Sequence, residues 1–298
     1  MGSSDDIATP ESQDLIAETV QLYLRTGESD PLYPSWHGGF MERAERAHKE
    51  LRGALVSAVK RLAEGLCHAS VPEIDTAALT RVKVKPMVAG LFPKAEQGLV
   101  LATVERAVVF LTDANIESVL FAQPFHGSAW TIANLYLTGV GAQLLADDAP
   151  RLMGLSEETT CTVSPEYFAG EAPFADFIVH EVAHIFHNTK RGAIGLRQTR
   201  TREWLLDIDY RKRETFAYSC EAYARILERA RNALERRTLA EEYRSEVRIS
   251  DERVDPVEVA GIFKEAVAAR NGWKVILGRC APARQPRVRS RASNGRPL

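Results

Sequence analysis

The sequence predicts an α+β fold, and three observations carry that expectation. Helical periodicity dominates both ends of the 298-residue chain, and short β-rich pieces are confined to its middle and its C-terminal region. Between the last central β-rich piece and a second long helical region lies one apolar helix with polar residues at helical spacing. Hydrophobic residues make up 45% of the chain, enough for a full core. The expected organisation is a helical segment over residues 1–75, a larger domain over 76–278 and an arginine-rich tail over 279–298.

The elements follow in order. Leu15, Ile16, Val20, Leu22 and Leu24 form a loose helical stripe that stops at Gly27. A loop rich in Pro, Gly and aromatics follows, in which Tyr33 and Trp36 are expected to anchor the loop rather than line a cleft. Ala44, Ala47, Leu51, Leu55, Ala58 and Leu62 predict a long helix from about residue 40 to 65, with His48 and His68 as surface or boundary histidines. Alternation in Arg81-Val82-Lys83-Val84-Lys85 predicts an edge strand. Apolar content rises over 98–111, Glu117 to Ala122 reads as a buried strand closed by Pro124, and Ser128 is placed to cap a helix through Leu137.

Glu158 to Ser164 is β-rich. Beyond Asn188 a basic, Gly-containing connector leads to strongly helical sequence, starting near Trp204 or Arg211 and running to Arg248. Pro256 to Arg270 predicts a last amphipathic helix, and Trp273 to Leu277 a closing strand. From Arg279 onward there are six arginines and no acids, which predicts a disordered, solvated tail.

A net charge of −2 gives the chain no global attraction to nucleic acid or acidic membranes. No apolar run approaches the ~18 residues of a membrane span, and Met1 to Asp6 has no basic or apolar leader character. Cys67, Cys161, Cys220 and Cys280 are too scattered for a zinc knuckle or a disulfide framework. The expectation is a cytoplasmic protein with free thiols.

One segment states a chemistry. Phe177-Ile178-Val179-His180-Glu181-Val182-Ala183-His184 reads H-E-x-x-H inside an apolar run. Residues four apart share a helical face, so His180 and His184 can reach one metal ion. Glu181 then stands beside the ion, where a carboxylate can act as a base toward a metal-bound water. Pro173 and Asp176 supply a helix start, while Phe174, Phe177, Ile178, Val182 and Ile185 bury the remaining faces.

A catalytic zinc site takes three protein ligands and keeps one open position. The metzincin pattern would need Gly at 187 and His at 190, where this chain has His187 and Lys190, so that family is excluded. Three ligands from one straight helix converge poorly, which leaves His187 a supporting or structural role. A glutamate from a second helix is the other solution. Glu214, Tyr218, Glu221 and Arg225 fall on one helical stripe bordered by Phe216, Ala217, Cys220, Tyr223 and Ala224. Glu214 and Glu221 are both candidates. Arg225, four residues after Glu221, can hold that carboxylate in a helix ion pair, so Glu214 is the choice and Glu221 the residue that orients a histidine.

With H-E-x-x-H followed by Glu214-Thr215-Phe216-Ala217-Tyr218, residues 155–230 resemble the gluzincins, zincin metallopeptidases completed by a downstream glutamate. The resemblance implies a zincin-like domain over 76–278, with a small mixed or antiparallel sheet packed on the two metal-bearing helices. It also implies that the strand just before the motif helix, Glu158 to Ser164, borders the cleft with a free edge that could pair with an extended peptide. The activity implied is zinc-dependent hydrolysis of a peptide bond by His180, His184, Glu214 and Zn²⁺, with Glu181 as base. Related enzymes add a donor for the oxyanion, for which Tyr218, Tyr210 and the more remote His126 are candidates here. The partner expected is a peptide or protein substrate, not a membrane. Peptidoglycan also remains open, although no export signal supports it. Two rivals stand beside this expectation: a regulatory adaptor binding a partner through its N-terminal helices, and a nucleic-acid factor working through the arginine tail. The intact Glu181 speaks against the first, and the near-neutral charge against the second.

Overall fold

The computed structural model describes residues 10–66, 71–170, 172–246, 249 and 251–283. Its helices are α1 (Pro10–Thr26), α2 (Phe40–Leu62), α3 (Thr76–Leu91), α4 (Lys94–Val104), α5 (Ile116–Ala122), α6 (His126–Gly139), α7 (Phe177–Asn188), α8 (Arg213–Arg229), α9 (Ala233–Glu246), α10 (Pro256–Ala268) and α11 (Gly272–Cys280). Three strands, β1 (Val108–Phe110), β2 (Gly154–Glu157) and β3 (Thr160–Val163), make one mixed sheet in the order β1-β3-β2, so the strand expected over 158–164 with a free edge is the central one, paired on both sides. The fold is α+β.

β1 runs parallel to β3, with Val108 opposite Cys161 and Phe110 opposite Val163. A parallel pair needs a crossover, and α5 and α6 supply it. β2 and β3 form an antiparallel hairpin in which Ser156 faces Cys161 and Glu157 faces Thr160. Its two-residue turn puts Glu158 at φ 47°, a left-handed conformation that non-glycine residues seldom adopt. Thr189 Oγ1, just past the end of α7, donates to the Glu158 carbonyl at 2.7 Å and ties the hairpin tip to that helix.

Two apolar clusters hold the chain together. One joins α1 and α2 to α5 and α6 through Tyr23, Leu51, Leu55, Leu120, Trp130 and Leu135, so the first two helices do not close a core alone. Trp36 is buried there, its Nε1 donating to Glu50 Oε2 at 2.8 Å, which makes it an anchor of the 27–39 loop. The other cluster joins α3, α4, the sheet and α7 through α11. Six of its members come from α7 and are fully buried, Ala183 and the five larger residues Ile178, Val179, Val182, Ile185 and Phe186. Burying each of the larger side chains contributes roughly 1.5–3 kcal/mol.

Three segments expected as strands are helices. Residues 81–85 lie within α3, where Thr80, Val84, Met87, Val88 and Leu91 are buried at helical spacing and Asp75 caps the start by accepting from Ala78 N. Residues 117–122 lie within α5, with Ile116 and Leu120 buried one turn apart. Residues 273–277 lie within α11, started by Asn271, which accepts from Lys274 N. Trp273 there packs so closely on Gly90 that a Cβ at position 90 would stand 2.1 Å from its ring. Ser128 is inside α6 rather than at its cap, and its hydroxyl bonds Glu157 instead. The strongly helical sequence expected up to Arg248 forms two helices, α8 and α9, of which α8 begins at Arg213. Arg279 and Cys280 complete α11, whereas the rest of the expected tail, from 284, lies outside the described residues, as do Cys67 and His68.

Candidate metal centre

Asp176 sets the position of α7. Its side chain accepts from Val179 N, capping the helix, and its other oxygen lies 2.9 Å from Lys83 Nζ of α3. With the apolar residues of α7 turned inward, His180, Glu181, His184 and His187 all line one cleft of about 910 Å³. Its other walls come from residues 151–156 along β2, the start of α8, and the loop between α9 and α10.

α8 follows a short 3₁₀ turn, Tyr210–Lys212, and places Glu214 in its first turn, where the helix dipole favours a carboxylate. Glu214 Oε2 lies 3.3 Å from His184 Nε2 and 3.6 Å from His180 Nε2, and the two Nε2 atoms are 3.2 Å apart. These three residues form a group able to hold a metal ion. Arg253 Nη1 sits 3.1 Å from Glu214 Oε1, fixing the carboxylate so that one oxygen faces the imidazoles. Arg253 itself is forked onto Asp251, at 2.9 Å from Nε to Oδ1 and 2.6 Å from Nη2 to Oδ2.

The far nitrogens of both imidazoles are also held. Glu221 is buried, with Oε2 at 3.0 Å from His180 Nδ1 and Oε1 accepting from the Asp176 backbone N–H at 2.7 Å. Arg225 does not hold Glu221, since it pairs with Glu228 at 2.6 Å. The choice follows from magnitude: an exposed i,i+4 pair is worth about 0.2–0.5 kcal/mol, a hydrogen bond to a buried charge about 1.5–3 kcal/mol. His184 Nδ1 lies 2.9 Å from His187 Nε2, and His187 Nδ1 lies 3.0 Å from Asn188 Oδ1. Burial, followed by the charges of His184 and Arg213, pushes His187 down to about 3, so it is neutral at pH 7. A neutral His187 that donates to Asn188 must accept from His184 Nδ1–H, which leaves His184 Nε2 as the nitrogen turned toward His180 and Glu214.

The donor set therefore fits a cation. With both Nδ1 protons given to Glu221 and His187, the two Nε2 atoms and one carboxylate oxygen converge on one point, where a bound cation would take the place of the proton on His180 Nε2. The electrostatics agree. Burial alone lowers His180, yet Glu214, Glu221 and Glu181 outweigh it and push its pKa up to about 10. Burial alone raises Glu214, yet the two imidazoles hold it well below the ordinary carboxylate range. The pocket favours positive charge.

Glu181 is 6% exposed and turned toward β2. Ser156 Oγ lies 2.5 Å from its Oε2 and 2.7 Å from its backbone carbonyl, with one hydroxyl proton to serve either. Gly154 makes this approach possible, because a Cβ there would stand 2.6 Å from Glu181 Cγ and Oε1. Tyr218 also lines the cleft, its ring edge-to-face with His180 at 4.7 Å. Tyr210 lies at the rim, 77% exposed, beneath the guanidinium of Arg213. His126 is elsewhere, in the α1/α2/α5/α6 cluster beside Tyr23, Tyr33 and His48. Gly154, Ser156, Asp251 and Arg253 are the site residues that sequence reasoning missed. None stands at a telling spacing from the motif, and no signal in the chain marks them.

Compared with protein-family models, curated proteins and solved structures, the chain matches none.

Proposed function

We propose that this protein is a zinc-dependent peptidase of the gluzincin kind, with His180, His184 and Glu214 as ligands and Glu181 as general base. The observation that carries the proposal is the convergence of the two Nε2 atoms and Glu214 Oε2 in a cleft that Glu181 also lines. Two nitrogens and one oxygen suit Zn²⁺, and three protein ligands are the number a catalytic zinc site uses. Bound there, zinc supplies a Lewis acid for the scissile carbonyl and a water of lowered pKa.

The chain's own residues do the rest. Glu181 takes a proton from the attacking water and delivers it to the leaving amine. Ser156 bonds that carboxylate, and Gly154 leaves the room it occupies. Tyr218 stays protonated at neutral pH, since burial, reinforced by Glu221, Asp251 and Glu214, pushes it up to about 12, and its hydroxyl can donate to the developing oxyanion. The substrate is a peptide or protein segment lying along β2, whose residues 154–156 line the cleft and which among the described residues pairs only with β3.

The test is cleavage of a complex peptide mixture, read by mass spectrometry, with wild type and Glu181→Gln. Zinc-dependent products from wild type and none from the variant support the proposal. Products that persist in the variant, or that do not need zinc, contradict it.

A further inference from the structure

The cleft holds more charge than the proposed chemistry uses. Its carboxylates are all engaged from within: Glu181 by Ser156, Glu214 by the histidines and Arg253, Glu221 by His180, and Asp251 by Arg253. Three further arginines line it, Arg151 ahead of β2 on one wall, and Arg211 and Arg213 at the start of α8 on another. None of the three guanidiniums makes an ion pair or hydrogen bond with a described residue. Arg213 is stacked on the Tyr210 ring at 4.7 Å, and its Nε is buried without an acceptor. Stacking restricts the side chain, so less freedom is lost when the fork meets a ligand.

On the reading that this cleft binds peptides, we infer that its preferred substrates are acidic, their carboxylates received by Arg151, Arg211 and Arg213. A guanidinium matches a carboxylate with two parallel charge-assisted hydrogen bonds. Each carboxylate of the cleft is already held by a neighbour, so the charges left free on these two walls to meet a ligand are the positive ones of Arg151, Arg211 and Arg213. The carboxylates can come from Asp and Glu side chains or from a free C-terminus, and both present the same group.

The test uses zinc-loaded Glu181→Gln protein, which holds peptide without cutting it, and four fluorescein-labelled decapeptides followed by anisotropy. Two carry interior Asp/Glu or the matching Asn/Gln, each with an amidated C-terminus. Two are neutral, with a free or an amidated C-terminus. The acidic or the free-acid peptide should bind at least about tenfold more tightly than its neutral partner, with the gap closing between about 50 and 300 mM salt. Arg151→Glu and Arg211→Glu, both at exposed positions, should each remove most of that preference while circular dichroism stays unchanged. Charged and neutral peptides binding alike, or no peptide binding at all, overturns the inference. Wild-type cleavage and zinc content are measured in parallel. Cleavage without charge preference sinks this inference and leaves the peptidase standing, whereas charge-dependent binding without zinc or cleavage does the reverse.

Discussion

Glu221 Oε2 lies 3.0 Å from His180 Nδ1, on the side of the ring away from the nitrogen that faces His184 and Glu214. An ionised carboxylate can only accept, so this contact keeps a proton on His180 Nδ1 and leaves Nε2 as the nitrogen that would give up its proton to a metal. Glu221→Ala should therefore weaken zinc binding about 10–100-fold. Glu214→Ala removes a donor atom itself and should weaken it further. Competition against a chromophoric chelator ranks the two, and a larger loss in Glu221→Ala would reverse the roles assigned here.

Glu181→Gln keeps the shape of the side chain and leaves the three ligands untouched. Zinc content and melting temperature should stay near wild type, while kcat falls by about two to four orders of magnitude. Loss of zinc in this variant would mean that Glu181 supports the metal rather than the proton transfer.

Gly154→Ala tests the same carboxylate from the strand side. A Cβ at 154 meets the Glu181 side chain at 2.6 Å, and the flexible carboxylate, not the strand, is the part able to give way. The variant should fold and hold zinc but turn over at least about tenfold more slowly, because a misplaced base is costly. Unchanged kcat would show that Glu181 works from another position.

Acid should destabilise the folded protein through His126, outside the metal site. Burial, then the charges of Arg52 and His48, lowers its pKa from 6.5 to about 4. Between those values the unfolded chain binds a proton that the folded chain refuses. The stabilisation is thus complete above pH 6.5 and is lost as pH falls toward 4. His126→Gln should flatten that part of the melting-temperature curve relative to wild type, and parallel curves would contradict the assignment.

How much could be read from the chain depended on how local the signal was. The motif helix was legible because Asp176, its cap, and the apolar positions of α7 all lie within thirteen residues of one another. Glu214 was legible as part of a stripe on one helix, and its approach to the histidines follows from α7 packing on α8. The Lys83 region, the 117–122 segment and the Trp273 segment misled because β-branched and aromatic residues signal strands, while the caps at Asp75 and Asn271 and the packing around them favour helix. The small β2 strand, with Gly154 and Ser156, had no alternation to announce it. Arg253 reaches Glu214 from 39 residues away, a contact only the tertiary fold creates.

The metal carries the whole account, and elemental analysis of purified protein tests it most directly. Wild type should hold about one zinc per chain, since one H-E-x-x-H helix builds one site. The His180→Ala, His184→Ala double variant, folded by circular dichroism, should hold none. Stoichiometric zinc retained by that double variant would contradict the site, the proposed activity and the role given to Glu181 together.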